Sequence, residues 1–408
     1  MQAADLSPVP VAGRTQSGWD LFLLFAAANI VATTMQVGAS LGGGLAPARM
    51  LAVVVTGACV GAALVAALAP VGSRLGVPSM IAARDPLGIA GAQLVAAVLF
   101  VTNFAWIAVN NAIAASVLAR MTPFGLDERA WAVVVGVVST AVVAAGPLAV
   151  RAADRWAVPL MVAAGLAITW TVLGLPAAPA IAADAALAAP SLATLFDVVV
   201  GYQVSWLLMF ADYSRFTANG RTSARAVFLG LALTAIWLMP MGWRLAQQAG
   251  SADPGAMLAT ADAGLAAALL IALATITTNF VNIYLSSLAW RSVMPAVPDR
   301  AAVWIVGLVG TALGLTGGWL DRFAGFMTVV GSVLVPVGGV FIAHFLLRPR
   351  PVDVEALYYA RGPHAGVRWA GVVAWAAGVA VYAAVPVGAT LAALTASVGT
   401  YLALTRRS

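Results

Sequence analysis

Twelve runs of apolar residues follow one another with little between them, and no other feature limits the fold so tightly. A membrane-spanning helix needs about 20 such residues. The runs fall at 19–41, 50–70, 91–119, 130–149, 156–175, 192–211, 224–246, 264–288, 301–318, 324–347, 367–384 and 386–404. Lipid offers backbone N–H and C=O groups no partner, so each run is expected to be a helix that satisfies its own backbone. The chain reads as an all-α polytopic membrane protein with twelve transmembrane helices. Only 9% of its 408 residues are charged, against about 25% in a soluble domain. No soluble domain of useful size is left between the runs.

The charges sit where topology would put them. All 21 basic residues are Arg, and the net charge is +6. With the N-terminus in the cytoplasm, 16 Arg fall on that side and 5 (Arg49, Arg120, Arg129, Arg244 and Arg322) on the other. Such a bias orients the chain with both termini cytoplasmic and implies no nucleic-acid partner. The expected location is the cell (inner) membrane, and the expected assembly is a monomer. Cys59 is the one cysteine, which excludes an intrachain disulfide and a metal–thiolate site. His344, near a helix end, and His364, in a loop, read as interfacial or solvated side chains. Residues 1–18 read as a cytoplasmic tail without a cleavable leader.

Two runs are interrupted by polar residues. The first, Phe25 to Leu45, carries Asn29, Thr33, Thr34 and Gln36. The sixth, Phe196 to Phe216, carries Gly201, Gln203 and Ser205. Interruptions at matching positions in two halves point to an inverted-repeat transporter with its site at the midplane. The repeats are expected at 19–175 (helices 1–5) and 192–347 (helices 6–10), with helices 11–12 at 367–405 outside them. Segments three and eight add Asn103, Trp106 and Asn110, and Thr275, Thr277, Thr278 and Asn279, at the same depth. By the rise of 1.5 Å per residue, all four clusters lie near mid-membrane.

The chemistry of that level is neutral. No carboxylate or Arg lies at the core of a run, which disfavours strongly charged substrates and a buried proton relay. Hydroxyl and carbonyl oxygens suit a hard cation such as Na⁺. A flat, hydrogen-bonding ring fits best, with Trp106 as a stacking face and amides as its partners. No nucleotide-binding loop or catalytic metal motif is present, so an enzyme is not expected. The polar residues end within one or two turns of the midplane, too short a stripe for a channel.

At these residues the chain resembles the nucleobase:cation symporter-1 family, the carriers of cytosine, hydantoin and hydroxymethylpyrimidine. The resemblance covers segments one to ten. It is carried by SLGGGL (Ser40 to Leu45), GSRLGVPSMIAARDPLG (Gly72 to Gly88), TNFAWIAVNNA, VVVGYQVSWLLMFADYSRF, TITTNFVNIY and GSVLVPVGGVFIAHF. It implies a LeuT-like fold with a 5+5 inverted repeat, and cation symport by alternating access. Trp106 matches the family's stacking Trp. Asn29, Asn110, Tyr202, Gln203, Ser205, Asn279 and Asn282 complete the implied substrate set. The carbonyls of Phe25, Ala28 and Ala274, with Thr277 and Thr278, are the implied Na⁺ ligands, and no other cofactor is implied. Asn103, a turn nearer the cytoplasm, is not carried into the substrate set.

One position departs from the family. Gln203 stands where a second aromatic normally sandwiches the ring. Either Tyr202 or Trp206 rotates in, or Gln203 reads a ring edge. The departure points away from cytosine and hydantoin, toward a differently substituted pyrimidine such as the thiamine precursor hydroxymethylpyrimidine. The alternatives are a proton-coupled purine, cytosine or hydantoin permease and an amino-acid carrier on the same fold. The latter would need free backbone amides at the first break, where Gly is missing from Asn29 to Thr34.

Overall fold

The computed structural model describes residues 7–42, 45–176, 190–262, 264–293, 297–359 and 361–406. Gly43 and Gly44 of the glycine run, the acidic loop position Asp184 and Arg407 lie outside them. The described chain is helical, and its one β contact is an isolated bridge between Thr15 and Thr217. The helices are α1 (Gly18–Asn29), α2 (Ala32–Ser40), α3 (Pro47–Leu75), α4 (Ser79–Ala82), α5 (Arg84–Met121), α6 (Glu128–Ala144), α7 (Pro147–Leu173) and α8 (Leu192–Val204). They continue with α9 (Gly220–Ala249), α10 (Pro254–Thr260), α11 (Gly264–Val293), α12 (Asp299–Gly314), α13 (Phe323–Ile342), α14 (Trp369–Ala384) and α15 (Ala389–Leu404).

Every expected segment contains a helix. Seven of them are long and apolar enough to cross a membrane, and the bent pair α1–α2 makes an eighth. Four more, α6, α12, α14 and α15, are apolar but only 16 or 17 residues long. The pair α1–α2 bends by 57° at Ile30–Val31, inside the first interrupted segment. The sixth segment also breaks: α8 stops at Val204 and the chain continues through 3₁₀ turns at Leu207–Met209 and Ser214–Phe216. The fifth differs from expectation. Gly146 (φ 99°) turns the chain and Pro147 starts α7, so the stretch expected as a loop before residue 156 is helical.

Local chemistry sets the ends. Ser17 and Asp20 form a reciprocal capping box at the start of α1. Asp127, Ser191, Asn219 and Asp253 cap α6, α8, α9 and α10 with side-chain oxygens. Asp197, inside α8, reaches sideways instead. Its carboxylate accepts from the Ala389 and Thr390 amides at 2.9 and 3.1 Å and so caps α15.

Both ends of the described chain lie on one face, here the terminal face. Arg14 donates to the Ser73 carbonyl at 2.6 Å, Ser73 donates to the Ser214 carbonyl at 3.1 Å, and Arg348 holds Thr405 after α15. On the opposite face Asp253 accepts from Ser116 at 2.7 Å and pairs with Arg120 at 3.2 Å. Small residues bring the backbones together between these faces. A Cβ on Gly38 of α2 would lie 1.8 Å from the Met239 carbonyl oxygen of α9, and one on Gly242 of α9 would lie 2.0 Å from that of Met35. Such crossings are how helices associate where lipid removes the hydrophobic drive.

Gly38→Ala is therefore expected to cost about 1–3 kcal/mol, as overpacking does, and to lower the melting temperature in detergent. Gly325→Ala, with open space at its Cβ, is the control. Equal melting temperatures for the two variants would contradict the close α2–α9 crossing.

Candidate functional site

The break between α1 and α2 frees backbone groups deep in the structure, and the chain satisfies some of them. The Ile30 amide donates to the Ala26 and Ala27 carbonyls at 2.9 and 3.2 Å. Thr34 Oγ1 donates to the Asn29 carbonyl at 2.6 Å, and its oxygen sits 2.6 Å from the Tyr202 hydroxyl of α8. Thr33 Oγ1 lies 3.3 Å from the same hydroxyl. The Ala28 carbonyl receives no backbone hydrogen bond among the described residues. An unwound helix leaves such carbonyls free to face a cation.

A narrow cavity of about 40 Å³ opens beside this break. Ala28, Val31 and Thr33 line it from the break, and Leu99, Thr102, Asn103 and Trp106 from α5. Tyr202, Ser205, Trp206 and Met209 come from the second break, Thr278 and Asn282 from α11, and Leu334 from α13. The Trp106 ring meets Tyr202 edge-to-face at 6.0 Å and Phe326 at 5.1 Å. Asn103 and Asn282 are 2% and 6% exposed, and the amide nitrogen of each lacks a hydrogen-bond partner. A buried amide donor left unpaired costs about 1–3 kcal/mol, so two of them on one cavity point to a hydrogen-bonding occupant.

A second cavity of about 160 Å³, toward the terminal face, is lined among others by Arg84, Ile89, Gln93 and Asp212 and shares Leu99 and Met209 with the first. A cavity of about 640 Å³ on the opposite side, with Gln36, Ser40, Asp253, Trp319 and Asp321 in its wall, shares no lining residue with it. The arrangement is a small central cavity between two larger ones, formed where the two broken helices meet α5, α11 and α13.

Residues 8–404 match the family described as permeases for cytosine and purines, uracil, thiamine and allantoin. The chain belongs to the nucleobase:cation symporter family. It is 26% identical to the cytosine permease of Escherichia coli (strain K12) over 375 residues, 91% of this chain and 87% of that protein. It is 22% identical to the putative purine-cytosine permease YxlA of Bacillus subtilis (strain 168) over 387 residues, 90% and 84% of the two chains. Among solved structures, inward-facing Mhp1 superposes with a TM-score of 0.84 at 18% identity, covering 100% of this chain and 94% of that one. Closed Mhp1, a nucleobase-cation-symport-1 transporter with bromovinylhydantoin bound, gives 0.82 at 19% identity, covering 99% and 95%. The fold is thus LeuT-like, as expected, in a multi-pass membrane permease.

Within this family fold, the thirteen residues singled out in the sequence separate. Trp106, Tyr202, Ser205, Asn282, Ala28 and Thr278 line the central cavity. The other seven are absent from its wall. Asn29 donates to the Leu231 carbonyl at 3.1 Å and to Thr234 Oγ1 at 2.8 Å. Gln203 donates to the same carbonyl at 3.1 Å, so both amides serve the packing against α9. Asn110 donates to Asn279 Oδ1 at 3.2 Å, and Asn279 donates to Asn111 Oδ1 at 2.9 Å, an amide ladder that clamps α5 to α11. Phe25 lies a turn inside α1 with its ring edge-on to Trp206 and Tyr213. Ala274 accepts from Thr278 at 2.7 Å, and Thr277 faces Met161 of α7.

Gln203 is absent from the cavity wall, whereas both Tyr202 and Trp206, the two aromatics the sequence offered in its place, line it. Asn103, Thr33, Thr102, Trp206 and Met209 join the wall without having been in the substrate set. Asn103 had a signal: it shares a helical face with Trp106. The two histidines correct the sequence reading. His344 and His364 are buried, 8% and 5% exposed, not solvated.

Asn279→Ala leaves Asn110 and Asn111 without partners and is expected to cost about 1–3 kcal/mol of stability. Asn282→Ala is expected to leave melting nearly unchanged and to weaken ring binding. Thermal melting with and without ligand separates the two. The reverse pattern would show that the clamp and the ligand amide have been interchanged.

Proposed function

We propose that this permease is a secondary active carrier that symports a neutral nucleobase-like ring with Na⁺ by alternating access. The observation that carries the reading is the pair of buried, unpartnered amides, Asn103 and Asn282, on one cavity with the Trp106 ring. Trp106 supplies a face for the ring, edge-supported by Tyr202 and Phe326. The two amides each supply a donor and an acceptor for its edge. Ala28 and Thr278 line the same cavity, and to the carbonyl oxygen of the one and the hydroxyl oxygen of the other we assign the co-transported cation. Phe25, Ala274 and Thr277, the other implied Na⁺ ligands, are not among the residues that line this cavity.

The substrate class follows from the chamber. No charged side chain lines it among the described residues, so a neutral solute is favoured over an ion. Two amides and several hydroxyls on one rim suit a pyrimidine with exocyclic polar groups, of which hydroxymethylpyrimidine is the reading we adopt. The repeats are assigned to 19–175 and 192–347, with 367–405 appended, and the terminal face is assigned to the cytoplasm from the Arg bias.

Trp106→Ala is expected to abolish uptake of radiolabelled hydroxymethylpyrimidine into proteoliposomes while the protein still reconstitutes. Unchanged uptake would remove Trp106 from the site. Thr278→Val is expected to raise the Na⁺ concentration for half-maximal uptake by about tenfold, the loss of roughly one oxygen ligand's 1.4 kcal/mol. Uptake indifferent to Na⁺ but following an imposed pH gradient would overturn the coupling assignment.

A further inference from the structure

A cavity of about 580 Å³ opens on the terminal face, apart from the transport chamber. At its base is a buried carboxylate, Asp85, at the start of α5. Its Oδ2 is 2.8 Å from His344 Nε2, at the end of α13, and the other nitrogen of His344 is 2.7 Å from the Tyr401 hydroxyl of α15. Its Oδ1 is 3.2 Å from Arg368 Nη1, at the start of α14, and 3.7 Å from His364 Nδ1. One side chain thus joins α5, α13, α14 and, through His344, α15.

His364 is the group in this cluster whose bonding is incomplete. Its Nδ1 lies 3.7 Å from Asp85 Oδ1 and has no hydrogen-bond partner among the described residues. When Nδ1 carries no proton, its lone pair faces a carboxylate oxygen. A proton placed there would convert a repulsive contact into an ion pair and would compete with Arg368 for the same oxygen. The remaining charged groups facing the cavity are Arg348, Arg350 and Asp353. Asp353 is already engaged, accepting from the Glu355 and Ala356 amides.

The cluster backs directly onto the transport path. The Ile89 and Ala90 amides donate to the His364 and Gly366 carbonyls, and the Arg368 amide donates to the Leu87 carbonyl, each at 2.8 Å. These bonds fasten the 361–368 loop to α5 where Gly88 (φ 76°) departs from helical geometry. A Cβ on Gly88 would lie 2.5 Å from the Gly366 carbonyl oxygen. Arg84 and Ile89, on either side of Asp85 and Gly88, line the vestibule that shares Leu99 and Met209 with the chamber.

We propose that Asp85 and His364 form a proton-binding site, filled from the terminal face, that sets how firmly the 361–368 loop holds the vestibule wall of α5. Proton uptake on His364 Nδ1 puts a second buried cation beside the Arg368 guanidinium on the one Asp85 carboxylate, and that repulsion within the loop loosens its hold on α5. Burial first and the Arg368 guanidinium second push the His364 imidazole below its ordinary value, against the opposing pull of Asp85 and Asp353. With the folded value depressed, the folded chain binds this proton less readily than the unfolded one. The stabilisation is complete above the ordinary histidine range, about pH 6.5, and is lost as pH falls through the depressed value.

The test is hydrogen exchange on the purified full chain, reading the Ile89 and Ala90 amides at about pH 5.5 and about pH 7.5 after correction for intrinsic rates. In the wild type those amides are expected to lose at least about fivefold of their protection at the lower pH. His364→Gln should remove the difference and His344→Gln should retain it. Equal wild-type protection at both pH values overturns the proposal without reference to any variant. So does an undiminished difference in His364→Gln.

The consequence for transport rests on the carrier reading and is tested separately. Hydroxymethylpyrimidine uptake should depend on pH at the terminal face in the wild type and not in His364→Gln. Uptake with the same pH profile in both overturns the link to the transport path. If hydroxymethylpyrimidine is not taken up at any pH, the substrate assignment fails, while the exchange result still decides the proton site.

Discussion

The centre of the molecule depends on one tyrosine. A helix broken at mid-membrane exposes backbone groups that lipid cannot satisfy, so α1 and α2 can hold their 57° bend only if something else takes up those groups. Tyr202 is central to that arrangement. Its hydroxyl meets Thr33 and Thr34, and Thr34 in turn covers the Asn29 carbonyl. Its own carbonyl accepts from Ser205 at 2.7 Å, where α8 stops. Its ring is edge-on to Trp106. The two breaks are therefore not independent features that happen to share a depth. The residue that ends one helix also stabilises the gap in the other, and the cavity is the space left between them.

The amides show how far a sequence can be read. That α5 and α11 carry Asn at mid-membrane, and that such residues face protein rather than lipid, follows from desolvation alone. Which protein surface they face does not. Asn103, Trp106 and Asn110 share a helical face by spacing, yet Asn110 sits seven residues from Asn103, about 10.5 Å along the axis. The cavity wall takes α5 from Leu99 to Trp106, so Asn103 lies within it while Asn110, a turn beyond Trp106, reaches Asn279. Asn29 and Gln203 were read as pocket amides because each interrupts an apolar run. Both instead converge on the Leu231 carbonyl of α9. That acceptor lies in a segment distant in the sequence, and no local pattern marks it.

The charged cluster at the terminal face was hidden for the same reason. Asp85, His344 and Arg368 look like unremarkable helix-end residues, as most such charges are. Their partners lie 259 and 283 residues away along the chain. The positions of the charged residues place no carboxylate or arginine at the core of a run. They could not exclude a buried carboxylate at the end of one, because burial there comes from the 361–368 loop folding back over the Gly88 kink. Apolarity, helix breaks and charge asymmetry are one-dimensional signals and were readable. Rotation about a helix axis and closure of distant loops are settled by packing.

The cavities add a directional argument. The central chamber shares Leu99 and Met209 with the vestibule on the terminal face, and shares no lining residue with the larger cavity on the other side. Both are unbranched or γ-branched apolar side chains, which change rotamer without breaking a hydrogen bond. Opposite them Trp106 packs on Phe326 of α13, and α2 is pinned to α9 by the backbone contacts of Gly38 and Gly242. The terminal side of the chamber is thus bounded by flexible apolar side chains, and the other side by an aromatic contact and a close helix crossing. The wall that carries Leu99 is α5, the same helix whose first turn is held by Asp85. Asp85 and Leu99 lie on this one helix, on either side of the Gly88 kink, so that ionic contact and the side of the chamber that shares residues with the terminal vestibule belong to the same element.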